Sequence, residues 1–293
     1  MRFALHSLAM VAAFSLFAHV PAVAQQATAS QPSRARSARD FPAARFEPVA
    51  QTAAYLAIYD RVAWITTDSL FALLRQDSTL TRQLGAEWFA YERDSVWHAV
   101  YGRFDPVADR YIQVAHFAAR PGQPFRRQSE PADSLLARRY GRALAVTTAR
   151  LPAAARESRA RFNAYVRPLR AGGLELWYLP AWQLDGLLIH GMEFYYRVDS
   201  SGGRVVDSSY FVTPLRGGVP DTTQIVDIFN DAREVPTVGQ AFFAYYYGRH
   251  FRAVYVHNRD FVTTFLDKAG GRTWIHALRA APADTTGLED APP

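Results

Sequence analysis

The chain lacks cysteine, and among its 33 basic residues only Lys268 is lysine. The absence of cysteine excludes disulfide bonds, thiolate nucleophiles and lipid attachment to a cysteine. Long hydrophobic runs are also scarce, since no stretch reaches the roughly 20 apolar residues that span a membrane. The apolar content of 49% and the aromatic content of 14% instead predict a folded globular protein with a core of its own.

The first residues predict a signal peptide at positions 1–24. Arg2 precedes an apolar run from Ala9 to Phe17, and Ala22-Val23-Ala24 forms a small-residue cleavage site. The apolar run is shorter than a membrane span and Pro21 interrupts its end, which favours cleavage over a membrane anchor. We therefore expect a periplasmic or secreted protein with no transmembrane segment in the mature chain. This location disfavours nuclear and cytosolic functions, including nucleic-acid binding.

Composition divides the rest of the chain into three parts. Residues 25–45 are rich in Ser, Ala, Gln, Pro and Arg without apolar periodicity, which predicts a flexible leader. Residues 46–279 predict a single α+β domain, or two lobes at 46–125 and 130–279. Residues 280–293 contain Pro and Asp and predict a disordered tail.

Alternating apolar and polar residues predict strands through most of the domain. Two meanders are predicted, the first at residues 87–92, 95–104 and 110–119 and the second at 252–258, 261–267 and 272–278. Between them, residues 174–212 contain three aromatic-rich strands separated by turns at Asp185-Gly186 and 199–203. Residues 214–236 are turn-rich and predict an irregular segment. The fold class is therefore α+β, mostly antiparallel meanders around a central helical block.

Helical patterns lie before the first meander and in the centre of the chain. The first pattern predicts a helix at 51–65 and a short helix at 69–75 capped by Asp68. The central pattern predicts two helices, one beginning near Pro131 and one from Pro152 to Tyr165. The segment from Arg120 to Arg170 contains twelve arginines and only three acidic residues, which is a local charge excess of +9. These helices form the arginine-rich block.

Histidine supplies the catalytic candidates. If the loop 105–109 is symmetric about Val107, His98 faces His116 across two strands. Two neutral imidazoles can relay a proton near neutral pH or bind a metal such as zinc. No HExxH or comparable spacing supplies a third ligand, so we predict no metal site and no cofactor. The simpler interpretation is two half-buried histidines that donate to backbone carbonyls.

Arginine and tryptophan supply the binding candidates. Arg138, Arg139 and Arg142 belong to the basic helices and are candidates for docking an anionic envelope polymer, a lipid surface or an envelope protein. Trp177 and Trp182 are candidates for a saccharide groove, because aromatic faces stack on sugars. Solvated helical arginines and core tryptophans are the simpler interpretations.

No motif fixes a reaction. The sequence has no G-x-S-x-G nucleophile elbow, and its glycine pairs occupy turns rather than a phosphate-binding loop. The sequence leaves open whether the protein is an enzyme. The leading hypothesis is a non-catalytic binding or structural module of the cell envelope. The alternative is a secreted hydrolase with a site around His98 and His116.

Overall fold

The chain is described from a computed structural model that covers residues 40–268 and 271–279. The predicted signal peptide, residues 25–39 of the predicted leader and the predicted tail lie outside this part of the chain. From Phe41 onward the described residues belong to one unit. Its three four-stranded sheets are dominated by antiparallel pairs, which confirms the predicted α+β fold class.

The elements are as follows. The helices are α1 (Ala43–Gln76), α2 (Ser134–Thr148), α3 (Ala153–Glu157) and α4 (Val238–Phe242). The strands are β1 (Phe89–Arg93), β2 (Val96–Asp105), β3 (Arg110–Ala119), β4 (Arg126–Arg127), β5 (Phe162–Pro168), β6 (Leu174–Pro180), β7 (Leu188–Val198), β8 (Val205–Gly218), β9 (Asp221–Asn230), β10 (Phe251–Asn258), β11 (Phe261–Lys268) and β12 (Gly271–Leu278). A π-helical turn at Phe243–Tyr247 extends α4.

The strands form three sheets in sequence order. Sheet A has the order β1-β2-β3-β4, sheet B the order β5-β6-β7-β8, and sheet C the order β12-β11-β10-β9. Both predicted meanders are present, one in sheet A and one in sheet C. Strands β9 and β10 run parallel because the chain crosses over through α4 between them.

α1 is one helix where the sequence predicted two. The predicted break at Asp68 is wrong, because the helix passes through that residue and ends at Gln76. The β-branched Thr66 and Thr67 interrupt the sequence pattern, but their hydroxyls donate to the Val62 and Ala63 carbonyls one turn back. Helix α1 also begins at Ala43, so the last three residues of the predicted leader are helical.

The central helical block is shorter than predicted. α2 is present, and the Asp133 side chain caps it by accepting from the Leu135 and Leu136 amides. The second predicted helix is wrong beyond α3: Arg159 adopts a left-handed backbone conformation with φ of 57°, and β5 follows. β5 is a strand because β6 offers it a full antiparallel ladder, a long-range partner that local propensity does not reveal.

The predicted irregular segment at 214–236 is largely strand. β8 continues through Pro214 to Gly218, and β9 follows after a short connection. Proline is tolerated there because β8 is an edge strand of sheet B, where one row of amides needs no ladder partner. The turn signals at Pro214 and Gly217-Gly218 therefore mark an edge and a strand end.

Two clusters of buried side chains form the core. The first joins α1 to all three sheets and includes the fully buried Leu56 and Tyr59. The second packs α2 between sheets A and B around Tyr140 and Leu144. Within the described residues, no helix combines the length and the apolar character needed to cross a membrane. The first cluster also supports the cleft described next.

Candidate functional site

A cleft of about 520 Å³ opens between the start of α1, one face of sheet B and the loop at residues 231–238. This volume is typical of small-molecule sites. The floor comes from β5, β6, β7 and β8, and the rim comes from the first turns of α1, the loop and Arg259 just after β10. Sheet B therefore supplies a rigid base, and the two segments above it supply the side chains at the opening.

The floor is a fully paired polar group. Arg167 donates from Nε to Glu175 Oε2 at 2.9 Å and from Nη1 to Thr52 Oγ1 at 2.8 Å. The Tyr195 hydroxyl donates to Glu175 Oε1 at 2.9 Å. The Arg167 guanidinium also lies 5.1 Å from the ring centroid of the buried Trp177. Because both Glu175 oxygens are occupied, this group orients the cleft and does not offer a free acid or base.

Glu193 is the unusual carboxyl group of the cleft. It is partly buried, and its Oε2 accepts the Gly239 amide at 2.9 Å. Burial raises the pKa of Glu193, while hydrogen bonds from Thr237 and Gly239 and the charge of Arg233 partly oppose this shift. No arginine or histidine of the described residues lies within ion-pair distance of it. A carboxyl with a raised pKa in a cleft is the kind of group that marks a functional site.

The rim is rich in arginine. Arg45 and Arg259 both pair with Glu234, the latter at 3.3 Å. The Arg233 guanidinium instead lies 5.7 Å from the Phe211 ring centroid, and no described carboxylate is within ion-pair distance of it. Beside the paired floor, three arginines and the two carboxyl groups of Glu234 and Glu193 therefore line the cleft, and this excess of positive charge attracts anions.

The two carboxyl groups of the cleft have different surroundings. In the β6–β7 ladder Glu175 faces Arg197 and Tyr178 faces Phe194, so Glu193 lies about four residues further along on the same face of sheet B. Glu175 is paired with Arg167 and Tyr195, whereas Glu193 accepts the Gly239 amide.

The histidine pair lies in sheet A and does not line the cleft. The predicted register is wrong: Asp105 pairs with Arg110, and an irregularity at Gly102 shifts the ladder so that His116 faces Val100. Gly102 permits this shift because a Cβ there would lie 2.1 Å from the Ile112 carbonyl oxygen. The predicted contact nevertheless exists as a diagonal pair, with His98 Nδ1 2.9 Å from His116 Nε2.

The environment keeps both imidazoles neutral. Burial, followed by the charges of His116 and Arg93, lowers the pKa of His98 to about 4, and burial also lowers the pKa of His116. His116 Nδ1 lies 3.1 Å from the Glu130 carbonyl oxygen, so the proton order that satisfies both contacts runs from His98 through His116 to this backbone acceptor. The described residues contain no group of three His, Cys, Asp or Glu side chains suited to a metal ion.

The predicted arginines tie α2 to neighbouring turns. Arg139 donates to the carbonyls of Gly172 and Gly173, the latter at 2.9 Å. Arg142 donates from Nε to Asp109 at 3.0 Å, and Arg138 lies 3.8 Å from the same carboxylate. These contacts hold the β5–β6 turn and the β2–β3 turn against the helix. They give Arg139 and Arg142 a structural role and leave Arg138 the most exposed of the three.

The two predicted tryptophans lie in different parts of the structure. Trp177 belongs to the cleft floor, whereas Trp182 lies outside the cleft and stacks on Trp64 with ring centroids 6.2 Å apart. Arg167, Glu193 and Arg233 of the cleft were not predicted from the sequence. Arg167 was assigned no strand partner, and Arg233 falls in a segment expected to be irregular, although such loops commonly carry function.

Function is assigned from the geometry of the cleft and not from likeness to known proteins. The chain matches no protein-family model, no curated protein and no solved structure in the three comparisons. A fold alone does not define an activity, since one architecture hosts many sites. The cleft, with its paired floor and arginine rim, is the candidate functional site.

Proposed function

We propose that the protein is an exported, non-catalytic binding module whose cleft receives an anionic polymer of the cell envelope. The observation that carries this proposal is the rim, where Arg45, Arg233 and Arg259 outnumber the carboxyl groups of Glu234 and Glu193. Export is supported by the signal-peptide pattern at residues 1–24. An acidic saccharide has the required chemistry, because each unit carries a carboxylate, hydroxyls and an apolar face.

Arg233 is the main anion contact in this proposal. Arg45 and Arg259 already share Glu234, so a ligand must compete with an internal ion pair for them. Arg233 forms no ion pair with a described residue, although its charge acts on Glu193, and its guanidinium lies 5.7 Å from the Phe211 ring centroid. A ligand carboxylate can form a bidentate pair with it without breaking an internal ion pair.

Other cleft residues suit the rest of an acidic saccharide. Phe211 lies directly opposite Glu193 in the β7–β8 ladder, and an aromatic ring on this face of sheet B can stack on the apolar face of a sugar. Glu193 offers a carboxyl group to sugar hydroxyls. The paired floor of Arg167, Glu175 and Tyr195 is already oriented, so binding does not have to order it.

The test is calorimetric titration of the purified protein with oligogalacturonate and with a neutral glucan of similar length. We expect binding of the acidic oligomer and about tenfold weaker binding in Arg233→Gln, the loss of one charged hydrogen-bonded pair. Arg204→Gln is the matched control, because Arg204 is a solvent-exposed arginine outside the cleft. Equal binding of neutral and acidic oligomers, or no effect of Arg233→Gln, would reject the proposal.

The second candidate is the secreted hydrolase, and the hydrogen-bonded contact of His98 with His116 favours it. The proton chain from this pair ends on a backbone carbonyl, and neither imidazole forms a hydrogen bond to a carboxylate or a hydroxyl group of the described residues. Hydrolysis of glycoside, ester or peptide substrates that is abolished in His98→Ala would support this candidate. Turnover that persists in His98→Ala would exclude the pair.

A further inference from the structure

A second surface combines exposed apolar side chains with arginines. We call it the aromatic patch and define it by Arg61 and Trp64 of α1, Arg161 before β5, Trp182 and Leu184 of the β6–β7 turn, and Arg249 after α4. Trp64 is 67% exposed and Leu184 is 88% exposed. None of these residues lines the cleft. The patch is therefore a separate surface, independent of the proposed binding site.

The exposed rings of the patch are held in fixed positions. Trp64 stacks on Trp182 with ring planes 21° apart, and the Trp182 ring meets the His250 ring edge-on at 5.2 Å. The backbone of Arg161 is tied to the same turn, since its amide donates to Gln183 Oε1 at 2.9 Å. Solvent exposure of a large side chain that is nevertheless fixed marks an interaction surface.

The buried carboxylate of Asp60 lies beneath the patch and hydrogen-bonds to residues that support it. Asp60 accepts from the Tyr165 hydroxyl at 2.7 Å and from Asn163 Nδ2 at 3.0 Å. Its side chain also bonds to Tyr246, the ring over which the Arg249 guanidinium lies at 5.3 Å. This network positions Arg249 at the rim while Asp60 itself stays buried.

The charge of the patch is positive. No carboxylate among the described residues lies within ion-pair distance of Arg61, Arg161 or Arg249. Asp185 is the exposed acid of the same turn, and its carboxylate accepts the Leu187 amide at 3.3 Å. Two exposed acids, Asp185 and Asp68 one helical turn after Trp64, stand against three arginines, and this excess of positive charge favours an anionic partner and disfavours a second copy of the same surface.

We infer that the aromatic patch docks onto an anionic lipid bilayer. Tryptophan has an apolar body and a polar N–H, which suits the headgroup region, and arginines beside it can contact lipid phosphates while their stems cover apolar surface. Leu184 projects from the tip of a hairpin turn. A bilayer accepts such a projection without a preformed pocket, whereas a protein partner must provide a complementary hole.

The test is cosedimentation of the full chain with vesicles of phosphatidylcholine containing phosphatidylglycerol, and with vesicles of phosphatidylcholine alone. We expect binding to the anionic vesicles, weakened by added salt. The double variant Trp64→Ala/Leu184→Ser should lower the partition coefficient at least about tenfold. Arg61→Gln/Arg249→Gln should weaken binding to the anionic vesicles by a similar factor.

Matched controls separate this surface from general hydrophobicity and from the cleft. Val107→Ser removes a side chain that is 96% exposed in the β2–β3 turn, and Arg204→Gln removes an exposed arginine. Both should leave vesicle binding unchanged, as should Arg233→Gln in the cleft. Equal vesicle binding by the patch variants and the parent protein would overturn the inference. Self-association of the parent protein that disappears in Trp64→Ala, seen by sedimentation velocity, would also overturn it in favour of a dimer.

Discussion

Glu193 keeps its carboxyl group between the cleft and a small cavity lined by Phe242 and Phe243, where burial raises its pKa. The folded protein therefore holds this proton at pH values at which the unfolded chain has lost it. The contribution of Glu193 to stability is greatest below the ordinary pKa of 4.5 and is lost as the pH rises through the folded value.

Glu193→Gln removes this loss and keeps an oxygen that can accept the Gly239 amide. We expect the melting temperature of the variant, relative to that of the parent, to increase as the pH rises from 4.5 toward neutrality. Thermal melts at several pH values measure the difference. Glu92→Gln, an exposed change on β1, is the control. A difference between Glu193→Gln and the parent that does not vary with pH would contradict the assignment.

His190 has the opposite linkage. Burial, followed by the charge of Arg216, lowers its pKa to about 4, and its ring meets the Phe243 ring edge-on. The folded state resists protonation that the unfolded chain accepts, so stability is lost as the pH falls from 6.5 toward 4. The loss from this residue reaches up to about 3 kcal/mol.

We predict that His190→Leu flattens the acid limb of the stability curve over this range. Urea titrations at pH values between 6.5 and 4 give the free energy of unfolding. Because His276 and His98 also have lowered pKa values, the slope should decrease without vanishing. An unchanged slope would show that His190 does not control acid stability.

At the scale of elements, the β7–β8 pair depends on an irregularity at Gly191. This residue has φ of +124°, and a Cβ would lie 2.5 Å from the Pro214 carbonyl oxygen. The ladder shifts between His190 and Met192 at the same point. The two ends of β7 contribute to different cores, Leu188 to the first cluster and Phe194 to the second. The irregularity at Gly191 therefore allows a single strand to contribute buried side chains to both clusters.

Gly191→Ala should lower the free energy of unfolding by more than about 2 kcal/mol, because backbone strain and a steric clash add. Gly186→Ala is the matched control. Its φ is +86°, but nothing lies within 4 Å of the added Cβ, so only the backbone term of roughly 1 kcal/mol applies. Denaturant titrations compare the two variants. Equal losses would mean that the close approach to Pro214 has no energetic consequence.

Elements defined by local signals were predicted, and elements defined by distant partners were not. The meanders and the Asp185-Gly186 turn follow from alternation and turn dipeptides a few residues apart. β5 and β9 are strands because of pairing with β6 and β10, which no local window contains. The sequence predicted the contact of His98 with His116 but not its register, since the shift at Gly102 requires knowledge of the facing backbone.

The cleft was less predictable than the fold. Its rim combines the first turns of α1 with a loop almost two hundred residues later, as the pair of Arg45 with Glu234 shows. Of the predicted binding residues, only Trp177 lies in it. A single sequence contains no signal for such a long-range convergence of arginines.

At the scale of the whole molecule, α1 joins the three sheets through one core. Leu56 is fully buried in the cluster that contains residues of sheets A, B and C. Leu56→Ala should lower the free energy of unfolding by about 2 to 5 kcal/mol, because the cavity is enclosed on all sides. Val107→Ala, at a position that is 96% exposed, should have little effect.

The same variant tests whether the described residues unfold as one unit. Because α1 contacts every sheet, the far-ultraviolet dichroism signal and the tryptophan fluorescence should change at one common midpoint within each protein, and that midpoint should be lower in Leu56→Ala. Two separate transitions in Leu56→Ala would show that one sheet unfolds independently of the helix.

The first helix packs on the last strand. The Phe46 ring lies 5.1 Å from that of Trp274, and Phe41 stacks on His276 at 3.5 Å. During synthesis, α1 emerges first but has no partner for these residues until β12 has been made. Closing so long a loop has a high entropic cost before any contact compensates it, and chains with such distant contacts fold slowly. Hairpins of sheets A and B can form early, whereas the contacts of Phe41 and Phe46 with β12 must wait until that strand has been made.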